Sequence, residues 1–173
     1  WDGTELWVGN IEETGEVSNK IKIAGGSDES VLQPSWSPKG NLYFVSDASG
    51  WWNLYRWNGD AIERVVQQKA EFGRPQWVFG MSTYDFPNEE KIICSYKDEG
   101  RWKLGLVEIG EKELRDLDQP YTEISYLRAK NGRVAFRGGS PLQPSSIVNL
   151  DIESGESEVL RRSTELEYEE GYL

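Results

Sequence analysis

Ser140 is a serine with a glycine-rich approach, in Gly138-Gly139-Ser140-Pro141, and a serine on such a bend is a candidate nucleophile for acyl transfer. The segment lacks the second glycine of a Gly-x-Ser-x-Gly elbow and leads into no helical pattern, so it reads as a loop. The single cysteine, Cys94, lies within the apolar run Ile92-Ile93-Cys94 and reads as a buried structural thiol. The 173 residues include no histidine, which removes both the usual general base near neutral pH and the commonest metal-binding side chain. A Ser-His-Asp or Cys-His site cannot be assembled from such a chain, and no catalytic residue is assigned to it.

Metal and cofactor chemistry fare no better. Asp28-Glu29 and Ser46-Asp47-Ala48-Ser49-Gly50 offer clustered oxygens, but neither has the alternating ligands and closing glutamate of a calcium loop. Asp47 is expected to cap a turn through its own backbone. Paired catalytic acids do not stand out among thirty acidic residues, and no phosphate-cradling glycine loop or dinucleotide fingerprint is present. No metal or cofactor is therefore expected. Trp51-Trp52, Tyr55 and Trp57 have the faces to stack on a sugar or a peptide, although aromatics recurring with a strand pattern more simply fill a core.

The formal charge of −11 repels phosphate backbones, so neither nucleic acid nor anionic membranes are expected partners. The longest apolar stretches, such as Leu42-Tyr43-Phe44-Val45 and Trp77-Val78-Phe79, are too short to cross a bilayer. The chain opens at Trp1 rather than Met, so we expect a trimmed product whose true start and targeting signal are missing. One unpaired cysteine favours a reducing compartment, and the expected location is cytoplasmic.

The elements that position these residues are strands. β-branched and aromatic runs alternate with Gly, Asn, Asp and Pro turn signals, and no helical period is sustained. Asn58-Gly59 and Asn131-Gly132 are expected to form two-residue hairpin turns, and Pro38-Lys39-Gly40 a related turn. Four strands are read at 33–36, 42–46, 52–57 and 61–66, four more at 75–79, 91–96, 102–109 and 113–117, and four at 123–128, 133–137, 145–150 and 158–160. Strands at 5–9 and 20–23 close an earlier unit. Leu6, Leu54 and Leu104 recur at spacings of 48 and 50 residues, and Trp36 and Trp77 at 41. A four-stranded unit of that period is a propeller blade, which must stack on neighbours to bury its faces. The expected fold is all-β, a partial β-propeller of about three and a half four-stranded antiparallel blades. Residues 1–26 form the end of one blade, and 27–70, 71–119 and 120–162 form three more. Its exposed blade edges favour self-association.

Gln33-Pro34-Ser35-Trp36-Ser37-Pro38-Lys39-Gly40 resembles the Trp-Ser-Pro-Asp-Gly blade signature, with Lys39 in place of aspartate, and TolB-type translocation proteins share it. A scaffold propeller of the TolB or WD-repeat kind, binding other proteins, is the alternative that this signature leaves open. Ser49-Gly50-Trp51-Trp52-Asn53-Leu54-Tyr55-Arg56 and Glu71-Phe72-Gly73-Arg74-Pro75-Gln76-Trp77-Val78-Phe79-Gly80 are more particular. With Gly132–Phe136 and Ser145–Val148 they resemble the propeller of the acylaminoacyl-peptidase and dipeptidyl-peptidase branch of the prolyl oligopeptidase family. The resemblance implies a non-catalytic segment of a serine peptidase, with residues 163–173 leading to an α/β-hydrolase domain absent from this chain. It also implies a filter that admits short peptides and positions them. Ser35, Gln76 and Ser125 are candidates to face the passage, and no substrate-binding residue is fixed by the sequence.

Overall fold

A computed structural model describes residues 3–165. Their regular elements are fourteen β-strands in four antiparallel sheets, with no helix among the described residues, and the chain divides at Lys69/Ala70 into two compact units. The expected all-β, partial-propeller architecture is what the strands form. The tail expected to lead toward another domain falls largely at 166–173, outside the described residues.

In the first unit, β1 (Glu5–Ile11) pairs with β2 (Val17–Gly25), and β3 (Val31–Trp36), β4 (Leu42–Ser46), β5 (Asn53–Trp57) and β6 (Ile62–Arg64) form a meander. Leu6, Ala24, Val31, Leu42 and Phe44 make its core, and Tyr55 and Trp57 pack against it. Phe44 and Tyr55 stack with centroids 5.9 Å apart. Tyr55 and Trp57, two of the aromatics considered for stacking on a ligand, thus pack on the core, whereas Trp51 is 40% exposed.

The second unit stacks two four-stranded meanders: β7 (Tyr84–Asp85), β8 (Lys91–Asp98), β9 (Arg101–Glu108) and β10 (Glu113–Leu117), then β11 (Glu123–Lys130), β12 (Arg133–Ser140), β13 (Gln143–Asp151) and β14 (Ser157–Arg162). Alternation aims Trp102, Leu104 and Leu106 of β9 at Ile124, Leu127, Val134, Phe136, Val148 and Leu150, all buried. Each such side chain contributes roughly 1.5–3 kcal/mol by leaving water, so neither sheet face is stable without the other.

Turn chemistry fixes the hairpins. Asn131 and Gly132 have φ of 52° and 76°, the two-residue turn expected. Asn58-Gly59 departs from that expectation, because only Gly59 is left-handed. Asn58 Oδ1 instead accepts from the amides of Asp60 and Ala61, both at 3.0 Å, which stabilises a longer loop. Gly138-Gly139-Ser140 is the end of β12 rather than a loop. A Cβ on Gly138 would lie 2.7 Å from the Tyr121 ring, so glycine here marks an aromatic packed onto a strand.

The largest departure concerns Pro75–Phe79, which is not a strand. The neighbour of β8 is Tyr84–Asp85, with Tyr84 opposite Cys94, while Glu71 bridges Lys97 further along the same strand. Within residues 72–83, Phe72 still stacks on Tyr96 and Thr83 O still accepts from the Ser95 amide at 2.7 Å, but the stretch between them leaves β8, and Trp77, Val78 and Phe79 are 78%, 56% and 103% exposed. The run is apolar and β-prone, but Pro75 lacks an N–H and Gly80 sits at φ 78°, so the segment turns instead of pairing. The ladders also correct the Trp36–Trp77 match. Ser35, Tyr43 and Arg56 form one row, Asp85, Ile93 and Leu106 the corresponding row 50 residues on, and the counterpart of Trp36 is Phe86.

Candidate functional site

The three residues considered for a passage have different fates. Ser35 is half-buried in β3. Gln76 lies exposed on the 72–83 excursion, its Nε2 donating to Arg74 O at 3.3 Å. Ser125 is buried in β11, where its hydroxyl accepts from Arg137 Nε at 3.0 Å. Ser35 and Ser125 are not equivalent positions. Both strands carry a one-residue bulge, between Leu32 and Ser35 and between Ser125 and Arg128, and registration across it matches Ser35 with Arg128.

The bulge in β11 assembles a cationic strip in a strongly acidic chain. An extra residue re-aims side chains and increases local twist. Tyr126, at φ 55°, is pushed to the surface while Leu127 is fully buried. Arg137, facing Ser125 on β12, lies over the Tyr126 ring at 5.2 Å from its centroid. On the open edge of β11, Arg74 donates to Glu123 Oε1 (3.2 Å) and Ile124 O (3.0 Å) and stacks on Trp102 at 3.9 Å. Arg128 donates to Ser82 Oγ, Leu127 O (2.8 Å) and Gly80 O (3.0 Å). Ser82 Oγ donates to Leu127 O at 2.6 Å, and the Ala129 amide donates to Asp85 Oδ2 at 2.7 Å. Side chains from the excursion and β7 thus satisfy the backbone edge of β11, which blocks indiscriminate strand addition there.

Beside Arg137 lies an open depression of about 540 Å³ whose lining includes Glu123, Gly139, Ser140 and Ser145. Its size suits a short peptide. The charges in it are unequal in effect, because Glu123 is paired with Arg74, whereas among the described residues Arg137 has a hydroxyl and a ring as partners and no carboxylate.

The suspected ion loops are used internally. Asp47 Oδ1 accepts from the Ser30 amide (2.7 Å), and Glu29 accepts from the Gly25 amide (2.8 Å) and Ser46 Oγ (2.5 Å). Asp47 thus ties two loops together, and its own turn is capped by Ser46 Oγ, which accepts from the Ala48 amide at 3.0 Å. Cys94 is fully buried, and loss of solvent pushes its thiol pKa far up, aided by the charge of Asp116.

A Mycobacterium tuberculosis puromycin-hydrolyzing peptidase matches over 94% of this chain and 25% of its own, at 33% identity and a TM-score of 0.86. A puromycin hydrolase matches over 96% of this chain and 26% of its own, at 28% identity and the same TM-score of 0.86. This chain is a prolyl oligopeptidase-family propeller segment. It spans about a quarter of the length of those peptidases. A structure from a study of two prolyl endopeptidases, at 15% identity and a TM-score of 0.63 over 91% of this chain and 23% of that one, shares the family fold alone. No protein-family model and no curated protein matches the sequence. Within this family segment, sequence reasoning had quoted Arg74 and passed over Arg128 and Arg137. Alternation in β12, with Val134 and Phe136 inward, was a signal for an outward Arg137.

Proposed function

We propose that this chain is the non-catalytic part of a serine peptidase, gating and positioning peptides for an α/β-hydrolase domain that it does not contain. The observation that carries the reading is the lopsided coverage, nearly all of this chain against a quarter of peptidases 28–33% identical to it. With no histidine in the chain, the general base of a serine peptidase has to come from other parts of the enzyme. The edge of β11, sealed against strand addition yet lined with arginines, is where a passing peptide would be held by side chains. The buried, protonated Cys94 suits a reducing, cytoplasmic setting. Isolated from its hydrolase domain, the chain would associate through its remaining open blade edges.

The test joins this segment to its hydrolase domain in the parent peptidase and compares turnover of a short chromogenic peptide, a peptide of about thirty residues and a folded protein. Removing the segment should raise cleavage of the two larger substrates relative to the short one by tenfold or more. An unchanged ratio would overturn the gating role and favour a scaffold that merely binds other proteins.

A further inference from the structure

We infer that the depression beside Arg137 is a binding subsite for a peptide carboxylate. The inference deepens the reading above, on which it rests for the class of ligand.

Four observations converge on it. First, Arg137 is held in place: its Nε donates to the buried Ser125 hydroxyl at 3.0 Å, and its guanidinium lies over Tyr126. A guanidinium fixed through Nε presents its two terminal nitrogens as a fork, the geometry that a carboxylate accepts in two parallel hydrogen bonds. Second, no protein carboxylate uses that fork among the described residues, although the chain carries eleven more acidic than basic residues. Third, the acid that does line the depression, Glu123, is engaged by Arg74 at 3.2 Å, so the charge left for a ligand is positive. Fourth, Gly139 in the lining carries no side chain, and about 540 Å³ accommodates two or three residues of peptide. Ser140 and Ser145 line the same depression and supply hydroxyls for the peptide's amides. The sequence singled out Ser140 for chemistry; here its role is contact.

The carboxylate has two sources, the C-terminus of a peptide or an Asp or Glu side chain, and the experiment separates them. The 173-residue chain is titrated calorimetrically with N-acetyl-trialanine as the free acid, with the same peptide as its amide, and with an amidated peptide carrying one internal Glu. The free acid, the Glu peptide, or both should bind five- to tenfold more tightly than the neutral amide, a difference that weakens as salt rises. Arg137→Gln should abolish that preference and Arg137→Lys should retain only part of it, while Arg133→Gln, which removes a charge outside the depression, should leave it intact. Equal affinity for charged and neutral peptides, or a preference that survives Arg137→Gln, would overturn the subsite. Neither result would bear on size selection by the parent enzyme, so the subsite and the gating role fail separately.

Discussion

β3 and β11 are built on the same backbone device and carry different loads. Each is the edge strand of a four-stranded meander, and each has one extra residue opposite its neighbour, with a left-handed non-glycine residue, Gln33 at φ 48° or Tyr126 at φ 55°. After that residue comes Pro34, exposed, in β3, and Leu127, fully buried, in β11. At Val31 the edge of β3 is satisfied by the single hydroxyl of Thr4, which accepts from the Val31 amide at 2.6 Å and donates to its carbonyl at 2.9 Å. The edge of β11 is satisfied by Arg74, Ser82, Asp85 and Arg128. The bulge is therefore a fitting shared by two of the three four-stranded meanders, and the side chains hung on it make one strand structural and the other a candidate ligand surface.

Substitution should separate the two strands most clearly at the bulge. Leu127→Ala empties a site in the second unit's core and should cost about 2–5 kcal/mol in denaturant unfolding, against less than about 1 kcal/mol for Pro34→Ala. Equal losses would end the distinction. Arg74→Ala removes an ion pair, a carbonyl cap and a ring contact together, and a loss of about 1–3 kcal/mol is expected. Thr4→Val should cost about 1 kcal/mol, and a larger loss than at Arg74 would show that the simpler edge matters more.

The smallest effect concerns the second strands of the β3–β6 and β7–β10 meanders, where Phe44 of β4 is matched by Cys94 of β8. Burial raises the Cys94 thiol above its ordinary 9.0, and burial together with Asp116 raises the Tyr96 phenol above its ordinary 10.0. Both groups keep their protons longer in the folded state, so their contribution is complete below about pH 9 and is lost as pH rises, unfolding then releasing protons. Stability should be level near neutrality and fall above pH 9, and Cys94→Ala should reduce the fall. A steeper fall in that variant would contradict the assignment.

Much of this was legible because β4 and β8 are continuous apolar runs and β12 alternates, each with turn residues at its ends. Asn131-Gly132 announced its geometry for the same local reason. The excursion at 72–83 was not legible, since Trp77-Val78-Phe79 has the composition of a strand and only the absence of a pairing partner excludes it. Nor were the bulges, because glutamine and tyrosine give no sign of a left-handed backbone. The cationic strip depends on both. Arg74 and Ser82 reach β11 because the excursion leaves β8, and Tyr126 lies beneath Arg137 because β11 gains a residue.

The most direct test of the central claim is hydrolysis of aminoacyl, acylaminoacyl and dipeptidyl chromogenic substrates by this chain alone, beside the parent peptidase and with a serine-directed covalent inhibitor. The account predicts no turnover and no labelling of the chain, with an active and inhibitable parent. Reproducible turnover by the chain alone would contradict it and require a catalytic site that works without histidine.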